Sequence, residues 1–168
     1  MNNLLFRRLL AYAIDYAIIA LYALILFGMA KMIGLGKEPL SPVYAQLLGF
    51  ATLTLPVFLY FYLSEKSKSR GTLGKRVVKI AVVCNETNNG RHILLRNVLK
   101  FLPWEIAHTG VHWVMYYSKY DIQPPIWVWT LLLFPQFIVL GYLISMAIAR
   151  GKRSIYDKVA RTEIRMQV

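Results

Sequence analysis

The sequence predicts an all-α membrane protein: four transmembrane helices, both termini cytoplasmic, and a small cytosolic β element. Three observations carry that prediction. The 168 residues are 57% hydrophobic with a mean hydropathy of +0.46, and the apolar residues fall in long blocks. A soluble domain of this size would show them at a helical or strand period instead. Four blocks, about 9–30, 43–63, 93–117 and 126–149, reach the roughly 20 residues needed to cross about 30 Å of hydrocarbon. Finally, the net charge of +12 is lopsided: seventeen of the 20 Lys and Arg lie in the N-terminal tail, the central loop 64–92 with the start of the third block, or the tail 150–168. Only Lys31, Lys37 and Lys119 fall on the other side. That is the positive-inside asymmetry, and it puts both termini in the cytoplasm of a multi-pass cell-membrane protein. The chain has room for one domain, 1–168.

Taken in order, residues 1–6 read as a short tail. The first span follows, with Arg8 at its mouth and Asp15 about 10 Å deeper by helix rise. Its apolar run is too long for a signal-peptide core, so it reads as retained. Gly34, Gly36, Pro39 and Pro42 punctuate an outer loop. In the second span Pro56 removes a backbone bond and predicts a kink, the freed carbonyl being met by a threonine or a neighbouring helix. Gly71 and Gly74 break the chain in the central loop. Val77 to Cys84 is dense in β-branched residues and reads as a strand. Its best partner is Arg161 to Gln167, where Thr162, Ile164 and Met166 alternate with charged or polar residues. Asn85 to Gly90 reads as a turn with a hairpin corner at Asn89-Gly90. Residues 91–102 read as an amphipathic helix lying in the interface, turning inward at Pro103. The fourth span opens near Trp127 and Trp129, an aromatic belt, and ends at Arg150 to Arg153.

Composition excludes some functions. The basic charge faces anionic lipid headgroups rather than nucleic acid, for which no motif is present. Gly71-Thr-Leu-Gly-Lys-Arg has two residues between its glycines and no Ser or Thr after the lysine, so it is not a phosphate loop. Cys84 is the lone cysteine, and no intramolecular disulfide exists. The sequence calls for no cofactor.

Two constellations carry chemistry. A carboxylate buried in low dielectric favours its protonated form unless a cation stabilises it, so Asp15 is suited either to exchange a proton for a cation or to hold basic groups in place. Glu105, His108 and His112 share one helix face at spacings of three and four. Glu-x-x-His recurs in di-metal bundles and His pairs at i, i+4 chelate zinc, so this face reads as a metal site, a proton relay or a polar stripe clamped to Asp15 or Gln136. An isolated charge in lipid is costly. The cheapest arrangement joins Arg8, Asp15, Glu105, His108 and Asp157 in one polar cluster.

Three segments also resemble the RDD family. RLLAYAID carries Arg8, Ala11, Ile14 and Asp15 of that family's first-helix signature. GTLGKRVVKIAVV is similar to its Gly-x-x-Gly-Lys-Arg strand entry. RSIYDKVARTEI is similar to its Ser-x-x-Asp-x-x-x-x-Thr segment through Ser154, Asp157 and Thr162. A glycine is common before that threonine, where this chain has Arg161. The resemblance implies that Arg8, Asp15 and Asp157 are the arginine and two aspartates of the family name. It implies small-solute or ion transport, cation/proton exchange included. An accessory membrane protein that assembles with others is the second reading, and a membrane-embedded metal hydrolase using Glu105, His108 and His112 the third. An enzyme is the less favoured class. Four spans seldom enclose a pathway alone, which makes a homodimer the natural transport unit.

Overall fold

The computed structural model describes residues 3–34, 40–84 and 89–167. Gly36, Lys37 and Pro39 of the outer loop, and 85–88 of the expected turn, lie outside them. The chain runs α1 (Leu4–Met32), α2 (Pro42–Gly49), a π-helical turn (Phe50–Thr54), α3 (Leu55–Lys66), α4 (Leu73–Val77), β1 (Ile80–Cys84), α5 (Asn89–Lys119), α6 (Ile126–Ile148), α7 (Ile155–Val159) and β2 (Thr162–Met166).

Three helical stretches are long and apolar enough to cross a membrane: Leu4–Met32, Pro42–Lys66 and Ile126–Ile148. The 31-residue α5 is longer than any of them but carries Arg91, Arg96, Lys100, Glu105 and three histidines, which lowers its hydropathy. The expected tail 1–6 is instead helical from Leu4, because Asn3 Oδ1 accepts from the Leu5 amide (3.1 Å) and caps the first turn.

The two β segments pair antiparallel, Ile80 opposite Met166 through Cys84 opposite Thr162. The first strand is shorter than the sequence suggests. Residues 73–77 form the short helix α4, and Lys79 then turns the chain at φ 55° into β1. Gly74 does not break the chain. It lies inside α4, where a Cβ would stand 2.2 Å from the Ala11 carbonyl oxygen, so only glycine lets α4 lie on α1. Arg161 has φ 53°, the left-handed conformation that glycine adopts without strain. Ala11, Val78, Ile80, Val82 and Ile164 close a small core between α1 and the sheet.

Asn89-Gly90 is no hairpin corner: both residues open α5. Pro103 does not end an interfacial helix either, for α5 runs straight through it. The amphipathic face is also reversed. Arg96 and Asn97 are fully buried, while Leu94, Leu95, Val98 and Leu102 point outward. Polar groups of this stretch thus turn toward the other helices and apolar ones away from them.

The prolines show how these helices persist. Pro103 offers no amide to the Leu99 carbonyl, and Tyr142 Oη of α6 donates to it (3.0 Å). Pro56 leaves the Thr52 carbonyl free, and Tyr22 Oη of α1 donates to that one (2.6 Å). Neighbouring helices thus meet the freed carbonyls, through tyrosines rather than threonines. Gly110 lets α5 lie close on α6, since a Cβ there would fall 2.9 Å from the Leu132 amide nitrogen. Trp113, on α5, packs edge-to-face on Trp127 of α6 at 5.1 Å.

Tyr142→Phe should therefore destabilise the fold by about 0.5–1.5 kcal/mol, the net worth of one hydrogen bond. Adding Pro103→Ala should return most of that loss, since the alanine amide satisfies Leu99 itself. Thermal melts of the single and double variants would check it; equal melting of the two would show that the tyrosine acts through packing.

Candidate functional site

The five residues expected in one cluster occupy three separate polar sites. The largest is a chain of charges at the meeting of four helix ends, and Asp157 is its pivot. Ser154 caps α7, and Asp157 at the third helical position returns a bond to the Ser154 amide (2.8 Å). That capping box holds the carboxylate still. Its Oδ2 then accepts from Arg8 Nη2 (2.5 Å), and its Oδ1 from Arg96 Nε (2.8 Å). Arg8 also donates to Tyr156 Oη (2.7 Å), Tyr12 Oη (3.0 Å) and the Gly151 carbonyl (3.0 Å). Thr162, at the head of β2, lies 3.3 Å from Asp157 Oδ1.

From Arg96 the chain continues. Its Nη1 meets both oxygens of Glu65 at 2.8 and 2.6 Å. Glu65 also accepts from Lys75 Nζ (2.7 Å) and Asn97 Nδ2 (3.0 Å). All of these side chains are buried. Burial alone would raise the Asp157 carboxyl. Arg96 and Arg8 outweigh it and hold Asp157 below its ordinary value. Lys100, one turn beyond Arg96, packs its Nζ over the Phe61 ring at 3.5 Å, and among the described residues no hydrogen bond reaches it.

Asp15 stands apart from Arg8. Its partners are Thr72 Oγ1 (2.5 Å), Tyr60 Oη (3.0 Å) and the Gly74 amide (3.0 Å), so α1 holds the loop entering α4 rather than helix α5. Neither His108 nor Arg8 touches it. It joins the larger network indirectly, since Thr72 lies 3.4 Å from Lys75 Nζ.

Glu105 forms the third site. One oxygen accepts from Gln46 Nε2 of α2, and the other from Thr54 Oγ1 (2.8 Å) at the end of the π-helical turn. The expected clamp to Asp15 or Gln136 is thus replaced by one to Gln46 and Thr54; Gln136 instead bonds back to the Leu132 carbonyl (3.5 Å). His108 and His112 stack next along α5 with ring centroids 4.6 Å apart, and Trp104 packs on His108. Among the described residues no three His, Cys, Asp or Glu converge as metal ligands, so Glu105, His108 and His112 are not the triad that their spacing suggests.

Glu65, Lys75, Arg96 and Asn97 were not expected here. Lys75 and Arg96 read as part of the basic cytosolic face, and Arg96 and Asn97 as the polar side of an interfacial helix. The available signal was the pair Arg96-Asn97, polar in an otherwise apolar stretch.

The model of the RDD family matches residues 3–161. No curated protein and no solved structure matches the chain.

Asp157→Leu should remove the shared carboxylate and leave two buried guanidiniums facing each other. The cost should be about 3–5 kcal/mol, seen as loss of folded protein. The pH dependence has a definite sign. Because the folded state lowers the Asp157 pKa, its stabilisation is present at neutral pH. It is lost as pH falls below the ordinary value of 3.8 and through the lowered native one. Melting curves from neutral to acid pH should show that loss in the wild type and a flatter acid limb in Asp157→Asn. Parallel acid limbs would sink the assignment.

Proposed function

Since the chain belongs to the RDD family, we propose that it crosses the cell membrane four times, with both termini cytoplasmic, and exchanges a small cation for protons at buried carboxylates. The family and the three apolar helices mark a multi-pass membrane protein. Helix α5 is the remaining span. Its length supports that reading, as does the placement of its polar residues toward α2, α3 and α7.

One observation carries the transport reading. Among the described carboxylates, Glu65 and Asp157 are neutralised by Lys and Arg, whereas Asp15 and Glu105 are held by hydroxyl, amide and backbone donors alone. A buried carboxylate without a salt-bridge partner is free to bind a cation in trade for a proton, and alternation between the two is exchange. The arginine-bound pair has nothing to exchange. Arg8 and Asp157 then serve as a brace and Asp15 and Glu105 as the working groups, in a homodimer that encloses the path. The completeness of the brace also suits the second reading, an accessory protein that assembles with other membrane proteins.

Topology is tested by fusing a cytosol-only reporter after the tail and into 85–88. Both fusions should be active; activity in the 35–39 loop instead would reverse the orientation.

Transport is tested in liposomes loaded with ion and pH dyes. Asp15→Asn and Glu105→Gln should each abolish exchange while folded yield stays normal. Unchanged flux in both would remove the carboxylates from the mechanism. Wild-type flux no greater than in empty liposomes would leave the accessory reading.

A further inference from the structure

We propose that His108, His112 and Gln46 form a seat for a borderline divalent cation of the Zn²⁺, Ni²⁺ or Co²⁺ class. Three polar atoms on the facing sides of α2 and α5 are shut off from solvent and have no hydrogen-bond partner among the described residues: His108 Nδ1, His112 Nε2 and Gln46 Oε1. Buried polar atoms are nearly always paired, so three orphans at one helix contact need a cause. All three can offer a lone pair, the imidazoles in the appropriate tautomers. None of the donors that hold Glu105 is left over to satisfy them.

The geometry around them is built rather than accidental. The histidines sit at i, i+4 on one face of α5, the spacing with which a helix chelates a metal. Their ring centroids lie 4.6 Å apart. The opposite wall is Gly49, where a Cβ would fall 2.9 Å from His108 Cε1 and 3.4 Å from His112 Nε2, so a side chain there would push into the imidazoles. Gln46 is oriented from behind. Its Nε2 donates to Glu105, which fixes the amide and leaves Oε1 as the free end. Carboxylates placed behind a ligand in this way orient it and supply charge without binding the metal. The π-helical turn Phe50–Thr54 begins at the next residue, and such turns gather at functional sites.

The ligand set decides the class. Two imidazoles and one amide carbonyl suit Zn²⁺, Ni²⁺ or Co²⁺ better than Mg²⁺ or Ca²⁺, which want several oxygens. Three protein ligands leave a fourth position open, as exchangeable sites do. Identifying this cation as the cargo rests on the exchange reading above; its binding does not.

The experiment uses the full chain purified in detergent on a tag free of histidine. Zn²⁺ is titrated by calorimetry, and the visible absorption of bound Co²⁺ is recorded. The expected result is one ion per chain, with a Co²⁺ band showing nitrogen ligands. His108→Gln and His112→Gln should each weaken binding by about tenfold or more, with helical circular dichroism intact. Gly49→Ala should weaken it without removing a ligand. Folded wild type that binds no Zn²⁺ would overturn the proposal, as would unchanged affinity in the folded double histidine variant. Zn²⁺ binding without flux in liposomes removes the exchange reading and leaves the site. Flux without Zn²⁺ binding does the reverse.

Discussion

Asp157 is shared by two arginines, and the ends of four helices depend on that sharing. Arg8 comes from the start of α1 and Arg96 from the first half of α5. Through Arg96 the link reaches Glu65 at the end of α3, and through Gly151 it reaches the chain just past α6. Each charge would be ruinous alone in a dry interior, because desolvation costs several kcal/mol per ion. Together they alternate in sign, and each carboxylate meets more than one donor. A buried network of this kind adds little net stability over an apolar core. It does penalise any arrangement that leaves one member unpaired. The small β-sheet and the capping box of α7 place that carboxylate within reach of both guanidiniums.

The same logic separates the carboxylates into two populations. Glu65 and Asp157 are bound by full positive charges and belong to the architecture. Asp15 and Glu105 are bound by partial charges only, from hydroxyls, an amide and a backbone N–H. Asp15 sits between them in another sense: it anchors Gly74 against α1, so its binding groups are part of the fold as well as of any exchange.

Much of this was legible in the sequence because lipid imposes simple rules. Long apolar blocks gave the helices, and β-branched density at one end of the loop matched alternation in the tail, which gave the sheet. The polar sites were harder to read. Arg8 with Asp157 followed from motif residues that both needed a partner. Asp15 did not follow, because its partners are a hydroxyl, a tyrosine and a backbone amide, none of which stands out as a charge. Arg96 and Asn97 were misplaced because an amphipathic stretch looks the same whichever face turns inward. Here the polar side turns toward the other helices and the apolar side away from them. The tyrosines that meet the carbonyls freed by Pro56 and Pro103 carry no local signal at all, since the pairings cross between helices.

Synthesis proceeds from Arg8 toward Asp157, and 149 residues separate them. Until α7 is made, Arg8 and Arg96 exist without their shared partner. The strand β1 likewise waits for β2, since its partner Thr162–Met166 follows the whole of α5 and α6 in the chain. The contacts that close the polar chain are thus among the most distant in the sequence, and distant contacts form slowly. The order of synthesis makes the segment 154–166 a late keystone: the helices made before it still have unpaired charge at their shared end, and α7 with β2 supplies the missing carboxylate and strand.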